Sequence, residues 1–288
     1  MVSKTLGSKV KFVLTILNSL CCISTSVASI VFLKTVIPEI ISTSVENAPA
    51  VLLSQKFWAI FLTEGVLIPI TFMKRIKGIS YISAFTSMGH IVYLVFVVGY
   101  LTQMERKPDI TRIPLVSTNF NDIVGVYMLC QFNYLVQPNI QEIFSELKQP
   151  TTRRKMKSMV VAYLIIAVPY FLIGFLTALI FVEDRDTLLE KGNVFRIESY
   201  ISWMPMRILT SLFSITPFVA AIVMNLTVKN QVSRLVCNKI RDKYVVHVIN
   251  AVLVGNVILV FALAIPTLEL SIQISSTVLY PFVRRMSE

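Results

Sequence analysis

Long apolar runs without a charged residue constrain this chain more than any other feature. Residues 12–33, 78–104 and 158–182 contain no Asp, Glu, Lys or Arg. A helix needs about 20 mostly apolar residues to cross the hydrocarbon core of a bilayer, because each residue rises about 1.5 Å. With 55% hydrophobic and only 15% charged residues among 288, the chain has too few polar side chains for a water-soluble domain. We therefore predict a multi-pass membrane protein.

The fold class that these runs predict is all-α, a bundle of about eight transmembrane helices forming one transmembrane domain, residues 1–288. Two of the predicted regions are apolar runs that contain a carboxylate. Residues 57–73 contain Glu64, and the apolar stretch 244–283 is interrupted by Glu269 and by a turn signal at Pro266. The predicted helices are residues 12–33, 57–73, 78–102, 123–144, 158–182, 205–228, 244–265 and 268–283.

The basic residues fall on alternate loops. Most of the 27 Lys and Arg residues lie near the two termini and around residues 74–77, 148–157 and 229–243, whereas the loop predicted at 34–56 belongs to the more acidic set. Because cytoplasmic loops retain Lys and Arg, we predict that both termini are cytosolic. A nucleic acid is not an expected partner, because each basic cluster adjoins a helix end and has no interleaved aromatic residues for base stacking.

Signals of catalysis are weak in this sequence. Its two histidines, His90 and His247, lie in predicted helices, and no His, Cys or carboxylate cluster has the spacing of metal ligands. The four cysteines lie in apolar runs or in a basic loop, which argues against a secreted disulfide framework. We predict no enzyme activity, no catalytic residues, no bound metal and no prosthetic cofactor.

The helix predicted at 123–144 becomes polar well inside its span, at Asn133, Tyr134, Gln137 and Pro138. Proline removes an amide donor, and unsatisfied backbone at membrane depth is tolerated only against protein or a water-lined cavity. Two interpretations are open. One is a proline kink packed by neighbouring helices. The other is a helix unwound near Asn133 and Tyr134, the device with which transporters bind a substrate at the midplane.

A longer motif extends from this segment into the following basic loop. Its residues are Phe132, Tyr134, Gln137, Pro138, Ile140, Ile143, Phe144, Glu146, Leu147, Arg153, Arg154, Lys155 and Met156. The motif resembles the pattern F-x-F-x-x-H/Q-P-x-V/I-x-x-I-Y/F-x-E-L, followed by R-R-K/R-M, of the amino acid/auxin permease family. Within that family it is most similar to the sodium-coupled neutral amino acid transporter branch. Weaker resemblance covers residues 66–103, 158–182 and 208–265.

The resemblance implies both a fold and a substrate. Members of the family are similar to five-plus-five inverted-repeat transporters, whose broken first and sixth helices form the substrate and ion sites. On this alignment the chain begins at the family's third helix and ends near its tenth, and so resembles a partial form of that fold. The substrate-binding residues implied here are Phe132, Asn133, Tyr134, Leu135 and Gln137.

Three further side chains are candidates for ion coupling. Glu64 lies deep in a short apolar span, where it is either a proton-coupling group or a protonated structural residue bonded to a neighbouring helix. Ser214 and Thr216 precede Pro217 and resemble the hydroxyl that the sodium-coupled branch uses as an ion ligand, although the spacing from Arg207 to the proline is shorter here. Hydroxyls that bond back to their own helix are the alternative.

We therefore expect secondary active transport of an amino acid by an ion-coupled permease, a symporter using sodium or a proton, in the bilayer of the plasma, vacuolar or lysosomal membrane. Because the alignment lacks one of the two broken helices, the chain by itself is expected not to concentrate amino acids. A partner chain that supplies the missing helices would restore this. The alternative is a non-transporting receptor, sensor or regulatory subunit that retains the scaffold.

Overall fold

The fold is known from a computed structural model, which describes residues 7–72, 79–104, 108, 144, 151–182, 194–197, 200, 202–236, 244–266 and 271. These residues are helical almost throughout, and no β-strand occurs among them. The predicted all-α class is confirmed for this part of the chain.

Where two consecutive helices are both described without a gap between them, the connection that joins them is short. In chain order they are α1 (Gly7–Ser44), α2 (Ala50–Leu53), α3 (Gln55–Ile60), a π-helix (Phe61–Leu67), α4 (Ile68–Thr71), α5 (Ile79–Gln103), α6 (Thr152–Ile180), a 3₁₀ turn (Val194–Arg196), α7 (Met204–Phe213), α8 (Ile215–Val236) and α9 (Tyr244–Ala264).

Several of these helices are long and apolar enough to cross a membrane. Within the described ranges the three longest candidates are Thr15–Ser44, Thr152–Ile180 and Met204–Ser233. Shorter apolar helices occupy Met88–Gln103 and Val248–Ala264. The helices predicted at 123–144 and 268–283 lie outside the described residues, apart from Phe144 and Ser271.

The first helix differs from its prediction. α1 continues to Ser44, through residues that the charge pattern assigned to a loop starting at position 34. The physical reason is the position of Lys34, which is only 5% exposed. Its ammonium nitrogen donates to the carbonyls of Ala262 (2.6 Å) and Ile265 (2.8 Å), so the charge is satisfied inside the bundle. A lysine with buried acceptors does not have to end a helix at the membrane surface.

α1, the π-helix, α8 and α9 surround the first of two hydrophobic cores. Its buried members are aliphatic or small: Cys22, Val27, Ile30, Val31, Leu33, Leu62, Leu67, Val219, Ala221, Ile222, Met224, Leu226, Val228, Val254, Ile258, Ala262 and Ile265. Small side chains let helices approach closely in a membrane. The Ser26 hydroxyl accordingly reaches the backbone of α8, donating to the Ala221 carbonyl at 3.3 Å.

α5, α6, α7 and residues 194–197 and 200 form the second core, in which aromatic rings are prominent. Its buried members are Val36, Tyr93, Val97, Ile180, Phe181, Phe195, Ile197, Tyr200, Met206 and Leu209. α1 reaches this core as well, because the Phe32 ring packs edge-on against Phe195 with centroids 6.0 Å apart. α1 is therefore common to both cores.

Side-chain contacts fix the helix directions in the first core. Ser19 bonds to Gln231 and Ser26 bonds to the Ala221 carbonyl, so α1 and α8 are antiparallel. Lys34, late in α1, reaches the last turn of α9, so α1 and α9 are parallel. The beginnings of α1 and α9 and the end of α8 consequently lie on one side of the bundle.

Ring contacts fix the directions in the second core. Tyr100 lies 5.6 Å from Trp203, while His90 lies 5.0 Å from Phe213, so α5 and α7 are antiparallel. His90 also lies 5.0 Å from Tyr170 in α6. Adjacent helices in this core thus meet through aromatic side chains.

Candidate functional site

The five residues predicted to bind the substrate lie outside the part of the chain that the structure describes. They are Phe132, Asn133, Tyr134, Leu135 and Gln137. The predicted unwinding of that helix lies there too, and both stay predictions. The ion-coupling candidates lie within the described residues, at two interrupted helices.

Glu64 lies in the π-helix Phe61–Leu67. Pro69 follows this turn and has no amide hydrogen, so the Glu64 carbonyl five residues earlier receives no π-type hydrogen bond from it. The Ile68 amide closes the wide turn by donating to the Thr63 carbonyl. Such π-helical turns are frequent at functional sites. The interruption therefore coincides with the carboxylate that the sequence singled out.

The two polar side chains of the π-helix lie in different environments. Glu64 is on the exposed surface of the bundle, whereas the Thr63 side chain is fully buried. The Thr63 hydroxyl has no hydrogen-bond partner among the described residues. The Thr63 hydroxyl and the Glu64 carboxylate therefore do not face one shared ion site. If Glu64 couples transport to an ion, it does so without Thr63.

The second interruption separates α7 from α8 at Ser214. Pro217 has no amide hydrogen, so the Phe213 carbonyl receives no helical bond from it. The Ser214 amide and hydroxyl both donate to the Thr210 carbonyl, at 3.0 and 2.8 Å. The hydroxyl thus bonds back to its own helix, as one of the two interpretations anticipated. Its oxygen lone pairs are still able to accept.

Sequence reasoning missed Thr210, one turn before Ser214. The Thr210 side chain is fully buried, and its hydroxyl has no partner within the described residues. Residues four apart share one helix face, so Thr210 and Ser214 lie on the same side of the helix. Hydroxyl oxygens are ligands that suit a hard cation or a water molecule. Two hydroxyl residues four apart ahead of a proline are the signal that could have found Thr210.

Thr216 is not brought together with this group. Two residues further along a helix correspond to a rotation of about 200°. Thr216 is accordingly only half-buried, whereas Ser214 is buried at 7% exposure. Thr216 therefore lies on a different face of the helix from Ser214, and its coupling role stays a prediction.

One buried hydroxyl pair lies in the second core. The hydroxyl oxygens of Tyr93 and Tyr200 are 2.9 Å apart, and the rings of Tyr100 and Phe195 pack around them. Burial, and then the neighbouring Tyr93 hydroxyl, raise the pKa of Tyr200 well above its ordinary value. Tyr200 is therefore protonated at neutral pH and is able to donate or accept in this pair.

Two buried lysines are a further feature that the sequence did not predict. Lys229, assigned by the charge pattern to a basic loop, lies inside α8 and is fully buried. Its ammonium nitrogen donates to the Thr71 carbonyl at 2.7 Å. The Lys229 ammonium therefore lies at the C-terminal end of α4, just as the Lys34 ammonium lies at the C-terminal end of α9. Carbonyls there lack amide donors and carry the negative end of the helix dipole.

Apolar helices interrupted within the bundle beside buried oxygen atoms are a recurring feature of one class of protein, the helical membrane transporters. The family model for transmembrane amino acid transporter proteins matches residues 1–280, and the chain belongs to this family. The family consists of transporters rather than enzymes. The chain has no match among the curated proteins or the solved structures with which it was compared.

Proposed function

We propose that this chain is an ion-coupled amino acid transporter of the sodium-coupled neutral amino acid type, and that its coupling cation binds at the break between α7 and α8. The observation that carries the proposal is the Thr210 hydroxyl, which is fully buried and has no partner among the described residues. Buried polar groups nearly always have a partner. A bound cation would supply one.

The chemistry of the break favours a cation over an anion. The candidate ligands are the hydroxyls of Thr210 and Ser214 and the carbonyl of Phe213, all of them oxygen atoms. Backbone carbonyls freed at an interrupted helix bind sodium in secondary transporters. Glu64 is the corresponding candidate for coupling to protons.

The substrate side of the proposal depends on the polar segment of the predicted helix 123–144. There the freed carbonyls near Asn133 and Tyr134 would bind the amino group, and the side chains of Phe132, Leu135 and Gln137 would set selectivity. Family membership supports an amino acid substrate. Uptake into liposomes with a panel of neutral amino acids would identify that amino acid.

The proposed orientation has both termini in the cytosol, in a plasma, vacuolar or lysosomal membrane. It is supported by the antiparallel packing of α1 and α8, which brings the start of α1 and the end of α8 to one side. Both ends adjoin basic segments of the sequence. Protease protection of tags at the two termini, in sealed vesicles, tests this orientation.

The test of the cation site is sodium-dependent stabilisation of the purified protein, which does not require uptake. A ligand that binds only the folded state stabilises it by an amount that grows with the logarithm of the ligand concentration relative to Kd. We expect Thr210→Val and Ser214→Ala to raise the sodium concentration needed for a given rise in unfolding temperature by about tenfold, because each removes one oxygen ligand of the cation. The matched control is Ser211→Ala, because Ser211 is exposed and bonds only to the Arg207 carbonyl among the contacts described. Equal responses of all three variants would contradict the site.

Transport itself is measured in liposomes with a panel of neutral amino acids, under imposed sodium or proton gradients. Sodium-driven uptake would support symport at the proposed cation site, and proton-driven uptake that falls in Glu64→Gln would support coupling through Glu64. Amino acid binding with no uptake in any gradient would favour the receptor or sensor alternative.

A further inference from the structure

Asn225 occupies an unusual position in α8. Its side chain is fully buried, and neither its amide oxygen nor its amide nitrogen has a hydrogen-bond partner among the described residues. Its neighbours Met224 and Leu226 belong to the apolar first core. A side-chain amide enclosed in such surroundings without a partner is rare in proteins. Its presence therefore requires an explanation.

Lys229 lies one helical turn after Asn225. Side chains four residues apart share a helix face, with Cβ atoms about 5–6 Å apart. Helical side chains lean towards the N-terminus, so the lysine stem is directed towards the turn that carries Asn225. The Lys229 ammonium is fully buried and donates to the Thr71 carbonyl at 2.7 Å. An ammonium and a vacant amide oxygen therefore lie on one face of α8.

We propose that Lys229 is a two-position latch, bound either to the Thr71 carbonyl or to the amide oxygen of Asn225. In the first position, which the structure shows, the ammonium joins α8 to the C-terminal end of α4. In the second position the end of α4 is released. The charge keeps an oxygen acceptor in both positions, which avoids a buried, unbonded ammonium.

α4 is a suitable element for release. It is the last turn, Ile68–Thr71, of a helical stretch that continues from α3 through the π-helix. The end of a helix frays more readily than its middle, so this turn depends on tertiary contacts for its position. The bond from Lys229 is such a contact, at the last residue of α4. The proposal concerns this movement only, and it holds whether or not the chain transports an amino acid.

The test is hydrogen exchange of the full chain in nanodiscs, followed by mass spectrometry of the peptide that covers residues 61–72. Asn225→Leu removes the second position, so we expect exchange in this peptide to slow at least about threefold, relative to a peptide from α1. Asn225→Asp should hold the ammonium and accelerate exchange in 61–72. The matched control is Asn256→Leu, because Asn256 is exposed and bonds within α9 to the Val252 carbonyl.

Two results would overturn the latch. One is unchanged exchange in residues 61–72 for both Asn225 variants. The other is slower exchange spread equally over α1 and residues 61–72 in Asn225→Leu, which means that the variant only removes an unbonded amide from the core. If Asn225→Leu does not give folded protein, Asn225→Ala answers the same question, because it also removes the acceptor.

Discussion

The two hydrophobic cores of this bundle are held together by different interactions. In the first, aliphatic and small side chains pack closely, and two buried lysines donate to backbone carbonyls of neighbouring helices. In the second, rings meet at centroid distances of 5.0–6.4 Å, and one hydroxyl pair, Tyr93 with Tyr200, lies among them. α1 contributes to both cores.

This difference indicates where the molecule resists deformation. A hydrogen bond from an ammonium in apolar surroundings is directional and costly to break. Ring contacts tolerate several orientations, as the edge-on, tilted and stacked pairs of one bundle illustrate. We therefore expect α1, α8 and α9 to keep their arrangement while the second core changes first. Variants in the two cores test this contrast.

Lys34→Met should have the largest effect, because it leaves the carbonyls of Ala262 and Ile265 without their donor. We expect the free energy of unfolding to fall by about 3 kcal/mol, the value of hydrogen bonds to a charged group. Thermal unfolding in detergent measures this. Lys56→Met is the control, because Lys56 is exposed. If both variants unfold at the same temperature, Lys34 does not stabilise the first core.

Gly255→Ala should have the next largest effect. A Cβ atom at Gly255 would collide with Cγ1 and Cδ1 of Ile68, so the Ile68 side chain, or α4 with it, would have to shift. Overpacking of this kind costs about 1–3 kcal/mol. At Gly174 of α6 nothing lies within 4 Å, so Gly174→Ala should stabilise the protein by up to about 1 kcal/mol. If both substitutions lowered, or both raised, the free energy of unfolding, the proposed difference in packing at the two glycines would be contradicted.

Tyr93→Phe should cost about 1–2 kcal/mol, because it leaves the buried Tyr200 hydroxyl without its partner. Replacing both tyrosines by phenylalanine should recover most of this loss, which a double-mutant cycle of unfolding free energies measures. Tyr100→Phe serves as the control, since it keeps the ring contacts with Tyr200 and Trp203. An additive cycle would mean that the two hydroxyls do not interact.

The smallest effect is expected in alkaline solution. The pKa of Tyr200 is raised in the folded protein, so the native state keeps this proton when the unfolded chain loses it near pH 10. The stability that Tyr200 contributes is therefore fully present below pH 10 and declines as the pH rises further. Unfolding temperatures between pH 8 and pH 11 should fall more for the native chain than for Tyr200→Phe. An equal fall of the unfolding temperature with pH in the native chain and in Tyr200→Phe would contradict the raised pKa of Tyr200.

Sequence reasoning was most successful where the signal is local. The charge-free runs predicted an all-α membrane protein, although the single helix predicted at 205–228 is divided at Ser214 between α7 and α8. The substrate residues around Asn133 and Tyr134 lie outside the described residues and stay predictions. Thr210 was missed because the sequence shows two hydroxyl residues four apart ahead of Pro217, but not that the Thr210 hydroxyl is buried without a partner among the described residues.

Hydropathy alone established the class of this protein, and the transmembrane amino acid transporter family is recognised from the order of residues 1–280. Where the buried lysines of α1 and α8 are bound depends instead on the folded bundle. Lys34 finds its acceptors 228 and 231 positions away, and Lys229 finds its own at a separation of 158. No local pattern encodes such partners, because they are set by which helix ends meet in the folded bundle.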